Sequence, residues 1–408
     1  MNKILALVFF ALITGCKTDY IPENKIKEDV SFLADDKLEG RQTGTEGEKK
    51  SADYIAQRFT DLGLESKGTD GYFQTFSFKP KTDPHQEVSY TVEGNDSTIT
   101  ATNVIAFMDN NASNTVIIGA HFDHLGYGAE GSLYRGEEKE IHNGADDNAS
   151  GVAVMLNLAS KLKNKDKGNN YLFIAFSGEE MGLLGSNYFT KNATIDLSKA
   201  NYMLNMDMVG RLKPDSTLAV YGVGTSPLLK QVVNTSNTKF KIIEKESGTG
   251  PSDHTSFYNS DIPVLHFFTG QHEDYHKPSD DSEKLNYEGM EAISDYILEI
   301  ITELDQSGKL PFRKTKNESE DVPSFKVGLG VIPDYLFDGK GMRIDGISED
   351  KPAQKAGLQK GDIVIKLGDS TIVDMMSYMR ALSSFNVGDK TKVVVDRNGK
   401  EVEAEIEF

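Results

Sequence analysis

Short apolar runs alternate with helical patterns over residues 115–305 of this chain. The runs have the length and the β-branched and aromatic content of buried strands, whereas the longer segments repeat their apolar residues at helical spacing. The strand-like runs are 115–120, 171–176, 202–205 and 263–268, and the helical patterns are 149–162, 225–237 and 287–304. This alternation predicts an α/β fold in which a mixed sheet is covered by helices on both faces.

The segment before residue 115 has helical patterns followed by β-type patterns. Ile26, Val30 and Leu33 recur at helical spacing, and Thr45 with Glu48 has the spacing of a capping box at the start of a second helix. β-type runs interrupted by prolines and a glycine occupy residues 72–108, so they are expected to build one side of the sheet. We therefore expect one domain over residues 25–305.

Polar and charged residues separate this domain from a second one. The segment 306–324 contains Pro311 and Pro323 and has the composition of a linker. Beyond it, β-type runs at 341–347, 362–367 and 392–397 flank a helical pattern at 374–385, and Asn398-Gly399 suits a two-residue hairpin turn. These patterns predict a small α+β domain over residues 325–408.

The first 24 residues contain the parts of a targeting segment. Lys3 precedes an apolar stretch at 4–13 that is too short to span a bilayer, and Thr14, Gly15 and Cys16 follow. This order resembles a bacterial lipoprotein signal, although Ile13 stands where that pattern prefers leucine. The resemblance implies a signal peptide at 1–15, lipidation of Cys16, a tether at 16–24, and a membrane-anchored protein exported to the periplasm or the cell surface. The alternative is an ordinary signal peptide that leaves Cys16, the only cysteine, as a free thiol.

Composition and charge narrow the possible partners. The chain has 408 residues and 38% hydrophobic content, which is enough to form two folded domains. Its formal net charge is −19, and this argues against a nucleic-acid partner because phosphate binding relies on clustered Lys and Arg. No stretch approaches the roughly 18 to 20 apolar residues of a membrane-spanning helix. A lipid anchor is therefore the expected route to a membrane.

Side chains of the types that bind metals stand where the apolar runs end. Four of these side chains closely follow the first three runs, namely His121, Glu179, Glu180 and Asp207. His276 lies downstream of the fourth run. The carboxyl ends of strands in an open α/β sheet share a crevice, so these side chains should converge. Imidazole and carboxylate groups are preferred zinc ligands. The spacing predicts a metal site at this edge of the sheet.

A pair of catalytic metal ions needs a shared carboxylate and a base beside the attacking water. Asp146 and Asp147 are neighbouring candidates for the shared carboxylate. Glu179 and Glu180 could divide the remaining tasks, one as a ligand and one as a proton shuttle. The residue types alone leave both assignments open.

Six motifs, in this order along the chain, resemble those of the two-zinc aminopeptidase family that also contains glutamate carboxypeptidases and glutaminyl cyclases. The motifs are HFD at 121–123, GADDNASG at 144–151, SGEEMGLLGS at 177–186, NMD at 205–207, SDHTSF at 252–257 and FFTGQHEDYHKPSDD at 267–281. The resemblance covers residues 25–305 and implies a zinc exopeptidase-like fold with two Zn²⁺ per chain.

The resemblance also implies a role for each matched residue. His121 and Asp207 would hold one zinc, Glu180 and His276 would hold the other, and Asp147 would bridge them. As the catalytic residues, Glu179 would be the general base and Asp123 would accept a hydrogen bond from His121 and fix its tautomer. A cis peptide bond is expected between Asp147 and Asn148. We expect structural or substrate-edge roles for His124, His142, His254 and His272, a capping or loop role for Asp146, and loop turns at Asp280 and Asp281.

The implied function is removal of N-terminal residues from peptides outside the cytoplasm. A carboxypeptidase or dipeptidase of the same family is one alternative, and a non-catalytic peptide-binding lipoprotein is another. Cyclisation of glutaminyl peptides is less expected, because those relatives use one zinc and both ligand sets are complete here. Two departures from the family concern the substrate: the loop before SDH has Thr249 where some secreted members have an oxyanion-stabilising tyrosine, and the protease-associated insert of several relatives is absent.

The C-terminal segment resembles a PDZ domain across residues 325–408. Gly328, Leu329, Gly330 and Val331 resemble the loop that binds a peptide carboxylate, and SEDKPAQKAGLQKGDIVIKLGD at 348–369 resembles the turn, helix and strand that follow. Such a loop holds a C-terminal carboxylate with backbone N–H groups while the peptide adds a strand to the sheet. The resemblance implies a C-terminal peptide as a partner. The alternative is a domain that packs on the peptidase and binds nothing.

Overall fold

Two separate β-sheets organise the protein. The computed structural model describes residues 24–80, 89–91, 98–128, 131–163, 165, 168–316, 326–337, 339–348 and 350–408. None of the helices within these ranges is both long enough and apolar enough to cross a membrane. The predicted signal peptide, Cys16 and the second half of the predicted linker lie outside the described residues, so these assignments and the domain boundaries stay predictions.

The larger sheet has ten described strands and a parallel centre. The strands are β1 (Glu65–Ser66), β2 (Phe73–Lys79), β3 (Ser89–Thr91), β4 (Ile99–Met108), β5 (Thr115–His121), β6 (Asn170–Phe176), β7 (Ala200–Met206), β8 (Thr217–Tyr221), β9 (Lys241–Lys245) and β10 (Val264–Phe268). Their order is β3-β2-β4-β6-β5-β7-β10-β8-β9, with β1 paired to β4. Strands β6, β5, β7 and β10 run parallel, and β4 and β8 join this group antiparallel on either side. The carboxyl ends of four strands therefore share one edge.

Helices cover both faces of this sheet, as the alternating pattern predicts. They are α1 (Ile26–Leu33), α2 (Glu46–Asp61), α3 (Gly151–Leu162), α4 (Leu184–Lys191), α5 (Leu229–Thr235), α6 (His254–Tyr258) and α7 (Tyr287–Leu304). Alternate residues of β6 face opposite ways, because side chains alternate along a strand. Phe173 joins the core under α1, α2, α3, α5 and α7, whereas Ile174 joins the core under α4 and α6.

The ends of the helices follow local hydrogen bonding. Thr45 is the N-cap of α2 and accepts a hydrogen bond from the backbone N–H of Glu48, as the capping pattern predicts. The pattern that begins at residue 225 forms a helix only from Leu229. Thr225 lies before the helix because its hydroxyl donates to the carbonyl oxygens of Gly222 and Val264. Tertiary hydrogen bonds thus shorten this helix at its start.

The second sheet is antiparallel and belongs to the C-terminal domain. Its elements are β11 (Val331–Pro333), β12 (Met342–Ile347), α8 (Pro352–Lys355), β13 (Ile363–Leu367), β14 (Ser370–Thr371), α9 (Met375–Leu382), β15 (Lys390–Arg397) and β16 (Lys400–Glu407). The strand order is β11-β12-β13-β15-β16, so β11 is an edge strand. Asn398 and Gly399 form the predicted two-residue turn, with φ of 54° and 80°. This is a small α+β domain with its own core.

The C-terminal domain packs on the end of the larger sheet that carries β8 and β9. Leu336 is buried against Ala219 of β8 and Ile243 of β9. An ion pair reinforces this contact, since Lys213 Nζ lies 3.0 Å from Asp345 Oδ2. The two sheets are therefore held together by an apolar contact and by a half-buried ion pair.

Candidate metal centre

The predicted ligands gather at the carboxyl ends of the four parallel strands. His121 is the last residue of β5, Glu179 and Glu180 follow β6, Asp207 follows β7, and His276 lies in the segment after β10. Carboxylate and imidazole groups from chain segments far apart in sequence thus meet at one edge, because parallel strands end on the same side.

Asp147 reaches this edge from a tight loop before α3. Gly144 has φ of +53°, and a Cβ there would lie 2.2 Å from the carbonyl oxygen of Asp147 and 2.5 Å from the ring of His124. Only glycine fits this backbone and this approach. The peptide bond between Asp147 and Asn148 is cis, as expected. Asp280 Oδ2 accepts hydrogen bonds from the backbone N–H groups of Asp146, at 2.9 Å, and Asp147, at 3.1 Å. The loop is therefore anchored from the segment that follows β10.

The first group of ligands contains His121, Asp147 and Asp207. His121 Nε2 lies 3.3 Å from Asp147 Oδ1 and 3.4 Å from Asp207 Oδ1. The other oxygen of Asp207 accepts a hydrogen bond of 2.7 Å from Ser252, whose hydroxyl also receives one from Asn205 at 2.8 Å. Ser252 belongs to the SDH motif, and these bonds explain how the motif acts on a ligand 45 residues earlier.

The second group shares Asp147 through its other oxygen. His276 Nε2 lies 3.2 Å from Asp147 Oδ2 and 3.3 Å from Glu180 Oε2, and His124 Nδ1 lies 2.8 Å from Glu180 Oε1. Burial opposes ionisation of Glu180, but hydrogen bonds from the two imidazoles lower its pKa to about 2. Burial opposes protonation of His276, but Asp147 and Glu180 raise its pKa to about 11.

Two sets of side chains have donor atoms close enough to hold a divalent metal, and the second set contains His124 where the resemblance implies His276. In the set His121, Asp147, Asp207 and in the set His124, Asp147, Glu180, one ligand atom per residue lies within 4.8 Å of the others. Nitrogen and oxygen donors of this kind suit zinc, and a carboxylate with one oxygen facing each group can serve two ions.

Glu179 stands beside the first group and has no ion pair shorter than 4.0 Å among the described residues. Its side chain is only 11% exposed. Burial and the nearby carboxylates of Asp207 and Glu180 raise its pKa well above the ordinary value, against the effect of His121. A buried carboxylate with a raised pKa, facing a cavity, has the properties of a general base.

Asp123 differs in part from its predicted role. Its carboxylate oxygen lies 3.7 Å from His121 Nδ1, too far for a hydrogen bond, and the ring nitrogen is closer to the Asp123 carbonyl oxygen, at 3.3 Å. The carboxylate instead accepts bonds from the backbone N–H of Glu179, at 3.1 Å, and from Thr43 Oγ1, at 2.9 Å. Asp123 therefore positions the segment that carries Glu179 more directly than the imidazole.

Two residues of the centre have roles that sequence reasoning missed. His124 contacts Glu180, although the sequence predicts a structural or substrate-edge role for it. Asp280 is fully buried and binds the loop of the shared carboxylate, so it is more than the predicted loop turn. For His124, the only signal in the sequence is its position three residues after His121. Nothing in the sequence around Asp280 indicates its role, because its partners are over 130 residues away.

The other predicted non-ligands lie outside the two groups. Asp146 accepts from the backbone N–H of Gly210 at 2.6 Å, which is a loop role as predicted, and its other oxygen lies 3.2 Å from His272 Nε2. His142 Nε2 contacts Ser132 Oγ at 2.8 Å. The ring of His254 stacks on that of His266 with centroids 4.4 Å apart. These histidines are held by contacts within the fold.

The loop that lacks a tyrosine places Thr249 on the wall of the cavity above the metal centre. A different tyrosine occupies this region: Tyr275 stacks on His276 with ring centroids 3.8 Å apart and lines the same cavity. Burial raises the pKa of Tyr275, and the carboxylates of Asp147 and Glu180 raise it further. The cavity therefore contains a neutral phenol next to the second group.

The predicted carboxylate-binding loop, Gly328 to Val331, leads into the edge strand β11. Tyr378 on α9 lies near this loop, since the backbone N–H of Leu329 opposes the burial that raises the pKa of its phenol. The side chain of Tyr378 is buried in the core of the small domain.

Comparisons with known proteins agree with this arrangement. Residues 103–301 match peptidase family M28, and residues 312–408 match the PDZ domain. The alkaline phosphatase isozyme conversion protein of Escherichia coli (strain K12) is 32% identical over 196 residues, which cover 47% of this chain and 53% of that protein. Aminopeptidase YwaD of Bacillus subtilis (strain 168) is 32% identical over 179 residues, which cover 41% of this chain and 39% of that protein. The matched segments span less than two thirds of either relative.

A solved structure shares the fold of the larger domain. The crystal structure of BSAP, a zinc aminopeptidase from Bacillus subtilis, aligns with a TM-score of 0.53 at 19% identity, covering 72% of this chain and 99% of that chain. The shared fold, the gathered ligands and the two sequence matches lead to one conclusion: residues 103–301 form a segment of the peptidase family M28 type, and a PDZ domain follows it.

Proposed function

We propose that this protein is a zinc-dependent aminopeptidase that removes N-terminal residues from peptides. The observation that carries the proposal is the shared carboxylate of Asp147, which faces one group of ligands with each oxygen while Glu179 stands beside them. Two relatives in the comparisons are named aminopeptidases, and this supports an exopeptidase that acts on the N-terminus.

We assign two zinc ions to the centre. His121 and Asp207 would hold one, Glu180 and His276 the other, and Asp147 both. When bound, zinc polarises the scissile carbonyl group and lowers the pKa of water. The donor set fits this assignment because each ion would have nitrogen and oxygen ligands.

The residues of the chain then supply proton transfer and positioning. Glu179 accepts a proton from the attacking water as the new carbon–oxygen bond forms. It returns this proton to the departing amine as the peptide bond breaks, so the products are a free amino acid and a shortened peptide. Asp123 holds the backbone of Glu179 in place, and Tyr275 supplies a phenolic donor for the carbonyl oxygen of the substrate.

The direct test is incubation of the zinc-loaded protein with a mixed peptide library, followed by mass spectrometry. We expect products that lack their first residue, and we expect them to form about 10² to 10⁴ times more slowly with the zinc-loaded Glu179→Gln variant. Products shortened at the C-terminus would replace the proposal with a carboxypeptidase, and release of dipeptides would indicate a dipeptidase. A library that stays intact with the wild-type protein would favour a non-catalytic peptide-binding protein.

We also propose that the protein is anchored to a membrane outside the cytoplasm through lipid on Cys16. The support is the sequence of residues 1–16 alone. Two or more acyl chains anchor a protein stably where one is marginal. Cys16→Ser should therefore move the protein from the membrane fraction to the soluble fraction of cells that produce it. Unchanged fractionation of this variant would rule the lipid anchor out.

A further inference from the structure

One continuous cavity connects the metal centre with the PDZ domain. Its volume is about 740 Å³, and its lining includes Glu179, Glu180 and Asp207 on one side. The opposite side is formed by the segment between β11 and β12 and by the first two turns of α9. The PDZ domain therefore forms a wall of the proposed active site.

This wall is fixed in place by the contact between the domains. Leu336, which is buried against Ala219 and Ile243, lies between Tyr335 and Phe337, and both of these line the cavity. The ion pair between Lys213 and Asp345 holds the same side of the PDZ domain. The wall is consequently part of the packed structure.

The helical part of the wall combines adaptable apolar surface with a positive charge. Met375, Met376 and Met379 of α9 line the cavity, and flexible methionine side chains accommodate apolar groups of varied shape. Arg380 also lines the cavity and is exposed. Its guanidinium group makes no ion pair within 4.0 Å in the part of the chain that the structure describes. The pKa of Asp374 at the start of the helix is nevertheless lowered by a hydrogen bond from the backbone N–H of Ser377 and by the charge of Arg380. Arg343, in contrast, is held by Asp334 at 2.6 Å.

The PDZ side of the cavity carries both signs of charge, since Asp334 and Asp374 line it together with Arg343 and Arg380. Arg343 is paired with Asp334, and Arg380 is the exposed cation on this side. A short peptide has its positive charge at the N-terminus and its negative charge at the C-terminus. A substrate of the proposed aminopeptidase has its N-terminal residue at the metal centre, so its downstream residues would extend toward the PDZ side and Arg380.

We infer that the first two turns of α9 bind the downstream residues of a short peptide substrate, and that Arg380 binds its C-terminal carboxylate. The inference rests on the proposed aminopeptidase function. The substrate class is peptides of a few residues that have a free C-terminus, with little restriction on their downstream side chains. This contact differs from the predicted carboxylate-binding loop, because Arg380 lies on α9 whereas that loop leads into β11.

The test compares peptides that differ only at the C-terminus. Leu-Gly-Gly and Leu-Gly-Gly-amide are given to zinc-loaded protein, and the ratio of their kcat/KM values is measured. A charge-assisted hydrogen bond at a partly solvated position predicts a preference of about tenfold for the free acid, mostly in KM. In Arg380→Gln the ratio should fall to about one.

Lys366→Gln is the matched control, since it removes one positive charge from the same domain at an exposed position outside the cavity lining. It should retain the wild-type ratio. Calorimetric titration with the same two peptides provides a readout that needs no turnover, so failure of the aminopeptidase function would appear as binding without hydrolysis. Equal affinity of the wild-type protein for acid and amide, or a preference that survives Arg380→Gln, would overturn the inference.

Discussion

The two halves of the metal centre are built on different supports. His121 terminates β5 and Asp207 follows β7, so the first half inherits its geometry from two adjacent parallel strands. Glu180 and His276 lie in longer segments, and His276 has a positive φ of 54°. Its Nδ1 is 2.9 Å from the carbonyl oxygen of Gly131. The first half is therefore positioned by the sheet, and the second by hydrogen bonds between loops.

This difference indicates where the centre is sensitive to substitution. Replacing a residue at a strand end removes a ligand while the strand stays in place. Replacing a residue in the loops changes both a ligand and the contacts that position its neighbours. We expect the second half to lose metal more readily, because its ligands depend on more distant partners.

The largest expected effects separate two neighbouring glutamates. Glu179→Gln keeps every ligand, so zinc content should stay at two per chain while turnover of an amino-acid amide falls by about 10² to 10⁴, the usual contribution of general acid–base catalysis. Glu180→Gln should lower zinc content toward one per chain, and excess zinc should partly restore turnover. Metal analysis with kinetics is the measurement. Loss of zinc from the first variant alone would reverse the two roles, and normal turnover in both would refute the metallopeptidase assignment.

The two imidazoles of the second half provide the next test. His276 contacts both Asp147 and Glu180, whereas His124 has its short contact with Glu180 alone. We expect His276→Gln to lose one zinc, and His124→Gln to keep both zincs with turnover lowered by about tenfold. Zinc titration of the metal-free variants distinguishes them. The opposite result would make His124 the ligand and His276 the group that orients Glu180.

The smallest expected effect concerns the support of the shared carboxylate. Asp280→Asn replaces the buried acceptor of two backbone N–H groups with a neutral one, so zinc affinity should fall by about tenfold at either half. Asp281→Asn is the control, because Asp281 makes a longer contact of 3.3 Å with Asn143. Competition with a zinc-binding dye measures both. Equal affinities in the two variants would mean that the loop holds Asp147 without Asp280.

The sequence predicted the parts of the centre that depend on local pattern. Apolar runs placed His121 and Asp207 at strand ends, and the capping pattern located the start of α2, because strand burial and caps are set by neighbouring residues. The contacts of His124 and Asp280 could not be predicted in this way, since they depend on how loops pack after folding. The composition of the predicted linker also suggested that the PDZ domain lies apart from the metal centre. Nothing in the sequence indicated that α9 would line the cavity.

The burial of Leu336 between β8 and β9 has a consequence for handling the protein. Gly270 leaves room for this side chain, since a Cβ at that position would lie 2.9 Å from Leu336 Cδ1. A chain cut by a protease between residues 316 and 326 would therefore have its two fragments held by packing as well as by the Lys213 ion pair. The nicked protein should migrate as one species on a native gel and separate only in denaturant.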